Sequence, residues 1–275
     1  MNEMSTKLVS VIVVSARQHN YLEACLESIQ KQTYPHIELI VIDTYLENLS
    51  YCQSLNRGIK ESKGDFILCL NDDVSLKENF AEEAIKGFEI SDKIGMVSGK
   101  ILRMDGKTLD STGLFLSIFR TAKERGYGCK DQGQFERPGY IFGVTGAVAF
   151  YRKDMLEQIK LGNEYFDEGF GFFYEDLDIA WRAQNYGWKG YYLPQAIAYH
   201  VRGASLRQTR GINKKFARNY ISQDLLWRLI KNRYLTIKKN DNLLDFLLHL
   251  PFILIYDIFT WSHFLARKFA IKGNI

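Results

Sequence analysis

Three short groups of polar residues carry side chains that could do chemistry, and the first is Asn71-Asp72-Asp73. This triplet follows an apolar run and is expected to end a strand. Adjacent carboxylates at such a place need a cation or hydrogen-bond donors, and oxygen ligands of this kind suit Mg²⁺ or Mn²⁺. An exposed turn that caps the next helix explains the triplet alone equally well. The triplet therefore indicates either a cation site or a turn.

The second group is Glu175-Asp176-Leu177-Asp178, which follows an aromatic run and opens a predicted helix. A helix N-terminus favours ionised carboxylates, which would keep Asp176 available as a general base. Simple complementation of the helix dipole is the commoner explanation of such a cluster.

The third group is His200 alone, at the end of an apolar strand. A neutral imidazole could join Asp73 in a metal site, although a lone histidine is more often structural.

The elements that must position these residues begin with a strand, a helix and a strand. Residues 8–14 are almost all apolar and β-branched, residues 21–32 have apolar side chains at helical spacing, and residues 38–43 form a second apolar run. A strand, helix and strand within about 40 residues predict a parallel βαβ unit. The first strand is predicted to be buried on both faces, and the second is a buried run.

The chain continues with the same alternation. Residues 49–63 are predicted to form a helix and residues 65–70 a third buried strand. Ser75 and Glu78 have the spacing of a capping box for a helix that runs to about Phe88.

Polar residues follow all three strands, namely Ser15, Asp43 and the Asp72-Asp73 pair. Ligands of open α/β sheets bind at the carboxyl ends of the strands, so this edge is the predicted site.

Further elements are predicted in the second half of the chain. Strands are expected at 94–103, 140–151 and 196–201 and a helix at 175–186, with residues 188–193 leading to Pro194. The Gly-rich polar stretch at 105–139 is long enough for a lid or an acceptor-binding region.

Composition and charge describe a globular chain with two unlike parts. Of its 275 residues 46% are apolar and 25% charged, which excludes a disordered chain. The net charge of +4 conceals eleven Lys and Arg against one acid in residues 202–239, while the rest holds 25 basic and 31 acidic residues. The four cysteines lack metal-site spacing, and the first apolar run lacks a signal-peptide cleavage site, so a cytoplasmic protein with reduced thiols is expected.

Taken together, the motifs resemble those of family 2 glycosyltransferases. The similarity is greatest to rhamnosyltransferase-like members that build bacterial surface polysaccharides. It covers roughly residues 8–205, and the stretches that carry it include VSVIVVS, IELIVID, GDFILCLNDDV, GVTGA, FDE, FFYEDLDIAWR and LPQAIAYHVRGAS. The resemblance implies the α/β GT-A fold, a Rossmann-like and mostly parallel sheet flanked by helices. It also implies a catalytic domain at 1–205 and a basic, apolar helical extension at 206–275.

The resemblance further implies an inverting, metal-dependent transfer of a sugar, with rhamnose as one candidate. The donor would be a UDP- or dTDP-sugar, and the acceptor a hydroxyl of a glycan or lipid-linked glycan. Asp176 would be the catalytic base, and Asp73 and His200 would ligate Mg²⁺ or Mn²⁺. Three residues would bind the nucleotide-sugar: Ser15, Asp43 and Asp72. A catalytically degenerate nucleotide- or sugar-binding or scaffold relative is the alternative.

One interval departs from the family pattern. Only twelve residues separate Asp43 from Asn56, which leaves no room for the further helix and edge strand that most members place beside the nucleobase. The nucleoside pocket is therefore expected to be reshaped.

The C-terminal segment is apolar and adjoins the basic stretch. Residues 243–259 are interrupted by two acids, a histidine and Pro251, which predicts no membrane span. The remaining interpretations are an amphipathic element at the inner face of the cell membrane, or helices packed on the catalytic domain or on a second subunit in a homodimer. Nucleic-acid binding is not expected, because no known module accompanies the basic residues.

Overall fold

The computed structural model describes residues 6–16, 21–201 and 222–272. The apolar runs of strand length form a central nine-stranded sheet. Its strands are β1 (Val9–Ser15), β2 (Ile37–Asp43), β3 (Phe66–Asn71), β4 (Val74–Leu76), β5 (Ile94–Arg103), β6 (Leu109–Ser111), β9 (Gly139–Ile141), β10 (Val148–Arg152) and β11 (Lys189–His200). The strands β7 (Leu114–Leu116) and β8 (Ala122–Glu124) form a separate hairpin.

Eight helices accompany these strands in the described part of the chain. They are α1 (Leu22–Gln30), α2 (Thr44–Glu47), α3 (Tyr51–Glu61), α4 (Phe80–Glu89), α5 (Lys153–Ile159), α6 (Glu175–Asn185), α7 (Gln223–Asn240) and α8 (Leu243–Lys272).

The strand order is β2-β1-β3-β10-β5-β11-β4, with β6 beside β5 and β9 beside β11. Strands β1, β2, β3, β5 and β11 run in one direction, and β10 and β4 oppose them. The predicted mostly parallel α/β sheet is confirmed. Strand β2 forms one edge of this order.

Strand register brings the predicted polar residues to one edge of the sheet. Ser15 lies opposite Asp43, and Val14 lies opposite Asn71, so β1, β2 and β3 end side by side. His200 ends β11 opposite Val74, directly after the Asp72-Asp73 pair.

The core lies on both faces of the sheet because side chains of a strand alternate between faces. Val11 and Leu68 pack on the face covered by α1 and α4. Ile12 and Ile67 pack on the opposite face, covered by α3, α5 and α6. Helices on two faces explain why the strands read as continuous apolar runs.

The predicted capping box of α4 is wrong. Ser75 lies in β4, opposite Tyr199 of β11, and α4 begins only at Phe80. The N-cap residue Asn79 makes no side-chain capping bond. Pairing of β4 with the long β11 takes the backbone groups that a helix starting near Ser75 would have used.

Three other boundaries differ from the predictions. The strand predicted at 140–151 is divided between β9 and β10, and the stretch 105–139 contains β6, β7 and β8. The two runs around Pro194 form one strand, β11, with a register shift between Leu193 and Ile197. Such an irregularity accommodates proline because proline cannot donate to the ladder.

The C-terminal apolar segment forms one long helix, and the expectation that it does not span a membrane stays a prediction. Helix α8 continues through Pro251, and Leu243–Lys268 has the length and apolar composition of a membrane-spanning helix, with a mean hydropathy of 1.7. Only 11% of its most apolar window is buried. Asp257 pairs with Arg233 of α7 at 2.5 Å, and Asp245 lies in the first turn of α8. The predicted domain boundary at residue 205 lies outside the described residues.

Candidate functional site

The end of β1 and the residues after β3 meet through a hydrogen bond. Ser15 Oγ donates to Asp72 Oδ2 at 2.7 Å, and the backbone N–H of Ala16 donates to the same oxygen at 3.3 Å. Burial, followed by the charge of Asp73, raises the pKa of Asp72, although these donors oppose the shift. The structure therefore brings together two of the three predicted nucleotide-binding residues.

Asp43, the third of these residues, caps a short helix. Its Oδ1 accepts hydrogen bonds from the backbone N–H groups of Tyr45 and Leu46 at 3.0 and 2.9 Å. Thr44 Oγ1 donates to the carbonyl of Ser15 at 3.0 Å, which ties the end of β2 to the end of β1. Asp43 is thus near Ser15, with one carboxylate oxygen already engaged.

Asp73 and His200, the predicted metal ligands, are in contact. His200 Nε2 lies 3.2 Å from Asp73 Oδ1, and the backbone N–H of Val201 donates to the Asp73 carbonyl at 3.0 Å. The other ring nitrogen, Nδ1, lies 2.8 Å from Oδ2 of Asp110. All three side chains are more than 90% buried.

Asp110 is a site residue that sequence reasoning missed. It lies on β6, within the stretch predicted only as a lid, and is 1% exposed. Arg103 Nε lies 4.0 Å from its other oxygen. A single acid in a Leu-Asp-Ser run gives no spacing signal, because its partner His200 is 90 residues away.

Two carboxylates set the charge of His200. Burial lowers its pKa, but the hydrogen bonds and charges of Asp110 and Asp73 outweigh that effect and raise the pKa to about 9. The ring is therefore protonated at neutral pH in the protein alone, and its charge offsets the two acids.

The donor set fits a divalent cation that is completed by oxygens of a ligand. Among the residues that the structure describes, no three His, Cys, Asp or Glu side chains form a metal-holding group. Asp73 and His200 nevertheless offer one oxygen and one nitrogen side by side. Asp110 orients the imidazole from behind, as carboxylates commonly do for metal-bound histidines. Mg²⁺ in particular is often held by few protein ligands together with phosphate oxygens.

Asp176 lies in the first turn of α6 and is half-buried. The backbone N–H of Gly146 donates to its Oδ2 at 3.2 Å, and that of Leu177 to its Oδ1 at 2.8 Å. These donors and the positive end of the helix favour the carboxylate form, as a general base requires.

Tyr51, on α3, connects the two carboxylate groups of the site. Its hydroxyl contacts Asn71 Oδ1 at 2.8 Å and the carbonyl of Gly146 at 3.0 Å. Removal of this hydroxyl from water raises its pKa well above 10, so it stays a neutral donor. The end of β3 is thereby linked to the backbone that holds Asp176. Sequence reasoning missed Tyr51 because a tyrosine in the first turn of an amphipathic helix has no distinguishing pattern.

Glu175, next to Asp176, is a buried acid. It is 6% exposed, and within the described residues its Oε2 has no hydrogen-bond partner. Burial, followed by the charges of Asp176 and Asp178, raises its pKa to about 8. Glu175 is therefore mostly neutral at pH 7 and does not repel a negative charge on Asp176.

Comparison with known proteins identifies related families. A model of "Glycosyl transferase family group 2" matches residues 66–270. Glycosyltransferase GlyG of Streptococcus pneumoniae is 31% identical over 28% of this chain and 34% of its own. The poly-beta-1,6-N-acetyl-D-glucosamine synthase of Staphylococcus epidermidis is 20% identical over 69% of this chain and 42% of its own. The putative glycosyltransferase EpsH of Bacillus subtilis is 24% identical over 58% and 51%. The chain thus matches between a third and a half of the length of these relatives.

Two solved structures share the fold. GalNAc-T7, crystallised with UDP, GalNAc and Mn²⁺, superposes with a TM-score of 0.53 at 12% identity over 70% of this chain and 43% of its own. Staphylococcus aureus TarS superposes with a TM-score of 0.50 at 17% identity over 70% of this chain and 36% of its own. These superpositions over 70% of the chain confirm the GT-A fold that the sequence resemblance implies.

Proposed function

Because the chain belongs to the glycosyl transferase family group 2, we propose that it moves a sugar from a UDP- or dTDP-sugar to a hydroxyl of a glycan acceptor, with inversion at C1. The observation that supports this most directly is the link through Tyr51. It joins the Asp73–His200 pair, by way of the end of β3, to the Gly146 backbone that contacts Asp176. A leaving-group side and a base side are thereby held in one rigid frame.

Each site residue has a distinct role in the proposed reaction. Asp176 accepts the proton of the acceptor hydroxyl during attack, a contribution of roughly 10²–10⁴-fold. Ser15, Asp43 and Asp72 hold the nucleoside and its ribose at the ends of β1, β2 and β3. Asp73 and His200 would hold a divalent cation, which would supply positive charge to neutralise the charge that develops on the leaving diphosphate. Because Glu175 is mostly neutral, it does not repel the negative charge of the base, Asp176.

The acceptor class is proposed from the relatives. The matched relatives include synthases of poly-beta-1,6-N-acetyl-D-glucosamine. We therefore propose a growing or lipid-linked polysaccharide of the cell envelope as the acceptor, with rhamnose among the candidate donor sugars. The competing function is a binding or scaffold relative that retains the fold without transfer.

Nucleoside diphosphate release separates these functions. The protein is incubated with a panel of UDP- and dTDP-sugars and Mn²⁺ or Mg²⁺. We expect Asp176→Asn to lower turnover by at least about 10²-fold while UDP binding is retained. The matched control is Asp154→Asn, an exposed acid in the first turn of α5. A wild-type protein that releases nucleotide from no donor, or an Asp176→Asn variant of full activity, would contradict the proposal.

We also propose that α8 lies against the inner surface of the cell membrane. Its outward face carries large exposed apolar side chains at helical spacing: Leu243, Leu244, Leu247, Leu248, Leu254, Ile255, Ile258, Phe259 and Leu265. No Asp, Glu, Lys or Arg occurs among these positions, and the face extends for about 33 Å at 1.5 Å per residue. Apolar surface of this size commonly marks an interaction site.

The inner face of α8 supports an in-plane arrangement. Ile253 and Phe264 are buried, Arg233 of α7 binds Asp257, and Trp261 Nε1 donates to the hydroxyl of Tyr234 at 3.0 Å. A helix fixed on one side to the protein cannot be surrounded by lipid. The aromatic residues at its margin and the basic residues at 202–239 suit a headgroup region with anionic lipids.

Vesicle flotation tests this arrangement. We expect the wild type to float with phosphatidylglycerol vesicles at low salt, and a Leu244→Glu, Phe259→Glu double variant to stay at the bottom. Ile90→Glu, at another exposed apolar residue after α4, serves as control. A wild type that stays at the bottom refutes the proposal. A dimer in sedimentation that dissociates on the double substitution would instead assign the face to a second copy.

A further inference from the structure

The loop that leads into α6 adopts an unusual backbone conformation. Phe173 and Tyr174, the two residues before the Glu175-Asp176 pair, have φ angles of 70° and 71°. Residues with bulky side chains rarely adopt positive φ, and two in succession persist only where the surroundings enforce them. Tyr174 is also the N-cap of α6 and makes no side-chain capping bond. This backbone conformation therefore depends on the residues that pack around the loop.

A buried amide on α7 makes three hydrogen bonds to this loop. Asn232 Nδ2 lies 3.0, 2.9 and 2.8 Å from the carbonyl oxygens of Phe170, Phe172 and Phe173, and the residue is fully buried. Three carbonyls around one atom fix the orientation of the amide, because the reverse orientation would place its oxygen against them. The amide thus holds the loop from Phe170 to Phe173, the first non-glycine residue of the loop with a positive φ.

Neighbouring residues of α7 extend the same contact. Arg228 Nη1 and Lys231 Nζ donate to the carbonyls of Phe170 and Gly169 at 3.4 and 3.3 Å. Beyond the loop, Asn240 Nδ2 donates to Asp178 Oδ1 at 2.8 Å. Helix α7 therefore holds the catalytic helix on both sides of Asp176, without contacting Asp176 itself in the hydrogen bonds described.

We infer that Asn232 is a positioning residue for Asp176, acting through the loop. The backbone N–H of Asp178 donates to the carbonyl of Tyr174 at 2.8 Å, so the conformation of Tyr174 sets where the first turn of α6 begins. The carboxylate of Asp176 is carried by that turn. This inference rests on the proposed function only in taking Asp176 as the base.

The test substitutes Asn232→Asp in the full chain. Aspartate keeps the shape but removes both amide protons and sets a carboxylate against three carbonyl oxygens. We expect backbone amides in 167–178 to exchange with deuterium at least about tenfold faster. Nucleoside diphosphate release from a donor that the wild type uses should fall at least about tenfold, with the KM for that donor within about twofold. Asn232→Ala carries the same measurements if the aspartate variant does not fold.

Leu226→Ala is the matched control. Leu226 is a fully buried residue of the same helix that packs toward α8 and makes none of the loop contacts. It should lower the melting temperature without accelerating exchange in 167–178 and without lowering turnover of the remaining folded protein.

The outcomes distinguish failure of the positioning role of Asn232 from failure of the proposed function. Unchanged exchange in 167–178 overturns the inference, and so does faster exchange with unchanged turnover. If Leu226→Ala and Asn232→Asp lose turnover equally, Asn232 has a merely structural role, and the inference is overturned as well. A wild type without turnover on any donor refutes the proposed function instead, and the exchange result still decides whether Asn232 holds the loop.

Discussion

Replacing Glu175 by glutamine should make the protein more stable, and by an amount that depends on pH. In the unfolded chain this carboxyl loses its proton above its ordinary pKa of 4.5, whereas burial keeps it protonated in the folded protein up to about pH 8. The folded state therefore binds more protons between these values, and stability falls as pH rises from about 4.5 to 8. Glutamine has nearly the same shape and no proton to lose, so it escapes this loss.

The magnitude follows from the pKa difference. At pH 7 the unfolded carboxyl is 2.5 units above its pKa of 4.5, while the folded one is still mostly protonated. At 1.36 kcal/mol per unit, the free energy of unfolding should rise by about 3 kcal/mol in Glu175→Gln. For a chain of this size that corresponds to a melting temperature higher by roughly 6–10 °C.

Thermal unfolding between pH 4.5 and 8.5 measures this difference. The two proteins should melt together near pH 4.5, and the gap should widen up to about pH 8 and then stay constant. Glu23→Gln, an exposed glutamate on α1, controls for a general effect of removing an acid and should show no such trend. A gap that is independent of pH, or a less stable glutamine variant at pH 7, would refute the assignment of Glu175 as a buried neutral acid.

Two further substitutions test residues that connect the site. Tyr51→Phe removes the bridging hydroxyl and should lower the free energy of unfolding by about 1–3 kcal/mol and also lower turnover, as denaturant titration and nucleotide release would show. Tyr34→Phe removes a hydroxyl that donates to a backbone carbonyl far from the site, so it should lower stability without lowering turnover. Equal losses of turnover in Tyr34→Phe and Tyr51→Phe would contradict a bridging role of the Tyr51 hydroxyl. Asp110→Asn should weaken Mn²⁺ binding in the presence of UDP by roughly 10–100-fold in calorimetry. The control Asp105→Asn replaces an exposed acid of the same segment and should leave Mn²⁺ affinity unchanged. A normal Mn²⁺ affinity in Asp110→Asn would exclude an orienting role for Asp110.

The ends of the parallel strands could be predicted from sequence because they depend on local pattern. Buried β-branched runs that end in polar residues identify the strands, and parallel pairing then forces Ser15, Asp43 and Asn71 to one edge. The contact of His200 with Asp73 follows from the same edge, once β11 is placed beside β4.

Residues that act across long distances in the chain could not be predicted. Asp110, Tyr51 and Asn232 have ordinary local sequences, and their roles arise only when β6, α3 and α7 pack against the sheet and the α6 loop. The false capping box at Ser75 has the same origin, because strand pairing prevails over a local helix signal.

Adjacent residues of α7 face two different partners, Asn232 the loop before Asp176 and Arg233 the helix α8. A shortened chain that ended near residue 205 would keep every residue that identifies the family motifs. It would nonetheless lose all the donors that α7 supplies to the catalytic loop. A truncation that removes the apolar tail should therefore end after α7 and not before it, because α7 carries the Asn232 amide that contacts the loop before Asp176.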